Sequence, residues 1–164
     1  MIKTLSTLLA ALTLVWAGLS QADQMKSRSH NKDKMPAETA MANVSRPVTE
    51  HQWVVTGVVA PNGAGALQAS AAFGDLSKGE HATFIKMPTG FVSGLHSHTH
   101  DYYGIVITGV GVNTAAGSKD VPLPPGSYWF QPGGEPHVTK CISSTECIFF
   151  IHQGAKFDYL PGAP

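Results

Sequence analysis

The sequence predicts an all-β barrel, on two observations. From about residue 49 onward the chain is a succession of short β-branched and aromatic runs, and nearly every run ends at Gly, Pro, Asn or Asp. Helical spacing is nowhere persuasive. Antiparallel strands closed on themselves are the economical way to bury one face of each run.

Taken in order, Trp53 to Val59 reads as a strand closed by Pro61-Asn62-Gly63, and Leu67 to Phe73 and His81 to Met87 read as two more. Tyr103 to Val112 is the next. Pro122, Pro124, Pro125 and Gly126 then force an irregular connection before Ser127 to Gln131, and His137 to Cys141 and Cys147 to Gln153 complete the series. No internal repeat, phosphate-cradling glycine loop or nucleophile elbow is present in the sequence.

The 164 residues suffice for one domain with a core plus some additional chain. The formal charge is +0, and Lys and Arg form no stripe of the kind that neutralises a phosphate backbone. Nucleic acid is therefore excluded as an expected partner. The basic excess is confined to residues 23 to 48, where Lys26, Arg28, Lys32, Lys34 and Arg46 outnumber Asp23, Asp33 and Glu38.

The amino-terminal residues have the pattern of an export signal. Lys3 supplies the positive start, Leu5 to Leu19 are mostly apolar, and Ser20-Gln21-Ala22 offers small residues for cleavage after Ala22. A membrane anchor is the alternative, but the stretch is interrupted by Ser6, Thr7 and Thr13 and falls short of the ~20 apolar residues that a span requires. The expected organisation is a signal peptide over residues 1–22, a flexible linker over 23–48 without sustained apolar periodicity, and a β-barrel domain over 49–164. The expected location is periplasmic or secreted, with no membrane association after cleavage. Cys141 and Cys147, flanked by strand-like segments, fit a disulfide across a hairpin, in keeping with an oxidising compartment; a pair of free thiols is the alternative.

The chemistry concentrates between Gly90 and His137. Alternate residues of an extended chain point the same way, so His96 and His98 can share one ion. Imidazoles bind borderline divalent metals such as Fe, Zn, Mn or Ni, and a third ligand has to arrive from a distant segment. His137 is that candidate, delivered at the start of a strand by the tight turn Pro132-Gly133-Gly134.

Together these segments resemble the paired motifs of the cupin superfamily, the RmlC-like jelly-roll or double-stranded β-helix barrels. Gly90, His96, His98 and Gly109 match the first motif, G-x5-H-x-H-x3-or-4-E-x6-G. Gly126, Pro132, Gly134 and His137 match the second, G-x5-P-x-G-x2-H-x3-N. Two departures stand out: Tyr102 occupies the glutamate ligand position and Cys141 the final asparagine. A shorter likeness, Phe73-Gly74-Asp75 with Gly79 following, is similar to the cupin part of ChrR-type anti-sigma factors and to cupin-like domains of unknown function. The resemblance also implies a homodimer, since cupin barrels often pair through edge strands.

Three histidines without a carboxylate would leave the ion a neutral ligand set and one to three open positions. Tyr102 is open to three roles: phenolate ligand, hydrogen-bond donor beside the ligands, or space filler. The second is preferred over the first. His152 is a candidate acid or base if it points into the barrel, and a core histidine otherwise. His100 shares the parity of His96 and His98 and is expected at the rim or just behind the ligands. Trp129, Phe130, Phe149 and Phe150 are candidates to line an apolar pocket. Glu135 is expected in solvent, and His30 and His51 have no assigned role.

Two functions follow. One is a small metalloenzyme acting on a small organic molecule, either hydrolase- or isomerase-like or an oxygenase, for which the likeness to three-histidine cupin dioxygenases offers an iron-dependent oxygenase as one form. The other is a non-catalytic ligand-binding or sensing module, whose metal is often zinc in the ChrR-like relatives. A barrel carrying its histidines without a metal remains the plain alternative.

Overall fold

The computed structural model of the protein describes residues 43–162, so the expected export signal, its cleavage site and the linker as far as residue 42 lie outside the described residues. After a single 3-10 turn at Val48–Glu50 come ten strands: β1 (Val54–Val59), β2 (Ala66–Gly74), β3 (His81–Met87), β4 (His96–Ser97), β5 (Tyr102–Thr108), β6 (Gly111–Ala115), β7 (Tyr128–Gln131), β8 (His137–Cys141), β9 (Cys147–Gln153) and β10 (Leu160–Pro161). One sheet has the order β1-β2-β3-β9-β5-β7 and the other β10-β4-β8-β6, with antiparallel pairing throughout. Among the described residues there is no α-helix.

Three strands, β3, β8 and β9, have the bounds expected from sequence. The run Tyr103 to Val112 requires correction, because it is two strands in different sheets. The break falls at Gly109, which has φ +76°, a conformation side chains rarely adopt. A Cβ there would lie 2.7 Å from Cys147 Sγ and 2.8 Å from Ser143 Oγ. The chain turns at the residue that can both reverse direction and pass this close to its neighbours.

Alternation sorts each strand into a core face and an outer face. Tyr102, Gly104 and Val106 of β5 are buried while Tyr103, Ile105 and Ile107 are exposed, and β9 buries Cys147, Phe149, Ile151 and Gln153. Phe149 packs edge-on against Trp129 with ring centroids 5.4 Å apart, and Phe91, Met87 and Val106 complete the apolar core. Each such side chain contributes about 1.5–3 kcal/mol on burial. Within the core, Cys141 and Cys147 form a disulfide that clips β8 to β9.

The interior is graded along its length. At the Cys147 end of β9 the neighbours are apolar, for Met87 lies opposite Cys147. At the other end His81 lies opposite Gln153, and Tyr102 opposite Gln131. The pairing of Tyr103 with His152 brings those two pairs into one row, so the six-stranded sheet carries a buried polar band at that level. The histidine motif faces this band from the four-stranded sheet.

Candidate metal centre

His96 and His137 are register partners across β4 and β8, and His98 follows His96 by two residues on the same face. All three are buried. Ring centroids lie 4.2 Å apart for His96–His137, 5.0 Å for His96–His98 and 5.2 Å for His98–His137. One ligand nitrogen from each falls within 4.8 Å of the others, which makes these residues a group able to hold a metal ion.

The two motifs are fastened to each other by backbone contacts. Gly134 N–H donates to the His98 carbonyl at 2.7 Å, and Gly133 N–H donates to Asp101 Oδ1 at 2.7 Å. A Cβ on Gly133 would lie 2.6 Å from the Thr99 carbonyl oxygen, so the turn approaches the first motif more closely than a side chain allows. Spacing in the second motif thus fixes where His137 meets the first.

Each imidazole is oriented by a main-chain carbonyl. His96 Nδ1 donates to Gly94 at 2.9 Å, His137 Nδ1 donates to Glu135 at 3.1 Å, and His98 Nδ1 donates to Asp158. This pattern fixes the tautomer and leaves Nε2 as the free lone pair on every ring, as at metal-ligating histidines generally. Burial pushes the His96 imidazole down to about 3 and His137 to about 4, and it lowers His98 as well. All three shifts favour the neutral ring, the form in which an imidazole ligates a metal.

Tyr102 stands where the motif expects a carboxylate. Its hydroxyl is 3.4 Å from both His137 Nε2 and Asn113 Oδ1. Burial pushes the phenol up to about 12, so it is a neutral donor. From there a ring of hydrogen bonds returns to the histidine group: Asn113 Nδ2 donates to Gln131 Oε1 (2.8 Å), and Gln131 Nε2 donates to the Glu135 carbonyl (3.0 Å), which also holds His137. Glu135 itself projects into solvent.

His152 corrects the sequence expectation. Ile151 and Gln153 occupy the inward positions of β9, so His152 faces outward, half exposed, 3.3 Å from Glu80 and beside the Phe73 ring. It lies on the opposite face of the sheet from the histidine group. Trp129 and Phe149 do line the interior, whereas Phe130 and Phe150 alternate to the outer face. His100 is exposed, as expected of the rim, and its carbonyl accepts from Gln153 Nε2 at 3.0 Å.

Sequence reasoning missed two features. His81 is buried in the same cavity as the metal centre, with Nδ1 2.9 Å from Thr83 Oγ1 and Nε2 3.3 Å from Gln153 Oε1. Because Gln153 spends its NH2 on His100, its Oε1 must accept, which puts the His81 proton on Nε2. Its only sequence signal was a lone histidine at the start of a strand. The second feature is the segment after β9: Tyr159 stacks on His96 (4.2 Å, 17°), Phe157 tilts against His98 (5.1 Å), and β10 pairs with β4. No local pattern marks those residues.

The cavity beside the histidines has a volume of about 70 Å³ and is largely apolar, with Met87, Trp129, Phe149 and Ile151 in its wall beside His81, His96, His98 and Tyr102. The Phe73-Gly74-Asp75 segment closes the turn before His81: Asp75 Oδ1 accepts from Ser77 N–H (2.9 Å), and its carboxylate pairs with Lys78 (2.6 Å).

Solved structures of similar fold include the polyketide cyclase RemF from Streptomyces resistomycificus (TM-score 0.60, 17% identity, covering 76% of this chain and 87% of that one). A predicted oxalate decarboxylase from Thermotoga maritima aligns with TM-score 0.56 and 22% identity over 68% of this chain and 99% of its own. An RmlC-like cupin protein from Ralstonia eutropha JMP134 aligns with TM-score 0.56 and 16% identity over 74% of each chain. At these identities the likeness establishes the RmlC-like cupin fold. None of the curated proteins matches the sequence. The model of the family described as a domain of unknown function, DUF4437, matches residues 47–163, and the chain belongs to that cupin-like family.

Proposed function

We propose that this chain is a small metalloenzyme in which a divalent ion on His96, His98 and His137 acts on the reactive group of a small organic molecule. The observation that carries this reading is the arrangement of the three rings: every Nδ1 is committed to a main-chain carbonyl, and a ligand nitrogen from each converges within 4.8 Å. Bound there, the ion supplies Lewis acidity and, in the case of iron, electron exchange with dioxygen.

The residues around the site suit a reaction more than a closed structural centre. No Asp, Glu or Cys joins the histidine group among the described residues, and the neutral phenol of Tyr102 lies 3.4 Å from His137 Nε2. His96 and His98 form part of the cavity wall, so a ligand in the cavity lies directly against two of the three rings, with Tyr102 in the same wall. Tyr102 can hold or donate one proton there, while the apolar wall limits water. Small-molecule chemistry on this fold is in keeping with the names of two fold neighbours, a polyketide cyclase and a predicted oxalate decarboxylase.

Metal analysis of protein purified without added metal tests the reading. About one equivalent of iron, manganese, nickel or zinc is expected, falling sharply in His96→Ala, His98→Ala and His137→Ala while His152→Ala keeps it. Equal loss in all four variants, or none in any, would overturn the centre. Tightly held zinc with no exchangeable water position would instead favour the non-catalytic binding or sensing module.

A further inference from the structure

A second space adjoins the cavity. It is a groove of about 600 Å³, and it shares Thr56, Leu76 and Phe157 with the histidine cavity as common walls. Phe157 is also the ring that packs against His98. The two spaces therefore adjoin at Phe157, one of the rings that cover the histidine group.

Size makes the groove relevant to the chemistry. A cavity of roughly 150 Å³ holds benzene, so the 70 Å³ beside the histidines takes only the end of an organic molecule. The remainder has to lie elsewhere, and the adjoining groove has the room. Its walls are mostly apolar, with Val54, Val55, Ala69 and Ala71 beside the shared Leu76 and Phe157.

Among the described residues, Arg46 is the only charged one lining the groove, and it has no carboxylate partner. Its Nη1 donates to the Ala71 carbonyl at 2.5 Å, which ties the guanidinium to the groove wall and leaves its other N–H groups without a partner among the described residues. A single guanidinium with no second cation matches one negative charge, and its forked donors suit a carboxylate.

We infer that the ligand of this site is an elongated organic acid whose apolar body lies in the groove, with its carboxylate on Arg46 and its other end passing Leu76 and Phe157 to reach the histidines. This rests on the metal-centre reading for what happens at that far end. The Arg46 contact is independent of the metal.

The test is calorimetric titration of the full chain with the straight-chain acids from butanoate to decanoate and with the primary alcohols of equal length, on zinc-loaded and metal-depleted protein. Wild type is expected to bind the best-fitting acid at least roughly tenfold more tightly than the matching alcohol. Arg46→Gln should erase that preference with metal content unchanged, and Arg46→Lys should keep part of it. The preference should survive metal depletion. An acid that binds Arg46→Gln as well as wild type, a preference that vanishes on metal removal, or acids no better than alcohols would each overturn the assignment. Absence of metal from wild type, with the Arg46 dependence intact, would count against the metal centre and leave the carboxylate site standing.

Discussion

The hydroxyl of Tyr102 lies 3.4 Å from Nε2 of His137, the nitrogen that its ring keeps free for a metal. A tyrosine stands at the carboxylate position of the cupin motif, beside the histidine group able to hold an ion. Held neutral by burial, it can orient a bound group without adding negative charge to the centre.

Tyr102→Phe therefore separates two roles. The expected outcome is protein that retains its metal within about threefold in affinity while losing about 1 kcal/mol of stability, the net worth of one hydrogen bond. Metal analysis and chemical denaturation measure both. Metal loss as complete as in His137→Ala would show that the phenol is a ligand.

Gly104 faces Trp129 across β5 and β7, and a Cβ at that position would sit 2.2–2.4 Å from three indole carbons. Gly104→Ala cannot be absorbed without moving a buried ring. A loss of about 3 kcal/mol in unfolding free energy is expected. Adding Trp129→Leu should recover part of it; an unaltered denaturation midpoint in the single variant would contradict the packing.

The metal-free protein should weaken on mild acidification. Burial lowers His81, His96, His98 and His137, so below the ordinary value near 6.5 the unfolded chain binds protons that the folded chain refuses. Stability is full above about 6.5 and declines as pH falls toward the folded values, about 4 for His137 and 3 for His96. Asp75 and Asp120, held below the usual carboxylate range by hydrogen bonds from Lys78 and Lys140, contribute only at lower pH. Thermal melting between pH 7.5 and 5 isolates the histidines, and a flat profile there would contradict their burial. Metal-loaded protein should resist the decline until protons displace the ion.

Replacing Cys141 and Cys147 together with Ala should remove about 2 kcal/mol, the loop-closure value for so short a ring, and leave metal binding intact. The disulfide closes the apolar end of β8 and His137 begins its other end, four residues away. Guanidinium denaturation and metal content together check it. Metal loss in this variant would show that the clip positions the histidine.

The strand series, the disulfide partners and the three convergent histidines were legible because each is written in local pattern. Alternation puts His96 and His98 on one face, and motif spacing brings His137 to them. Alternation failed for His152, because Ile148-Phe149-Phe150-Ile151 is apolar at both parities and nothing local says which face turns inward. Only register decided that, by pairing Gln153 with the buried His81 and sending His152 out beside Glu80.

By itself, the sequence determined that this is an all-β cupin with a histidine-rich motif pair and a tyrosine in place of the carboxylate. Tertiary structure alone decided that His81 shares the cavity, that Asp158 orients His98 through its main chain, that Tyr159 and Phe157 cover the rings, and that Arg46 lines the adjoining groove. The physical reason is range. Spacing along a strand fixes which neighbours share a face, whereas contacts between residues about 60 positions apart depend on how the two sheets close, and no run of adjacent residues encodes that closure.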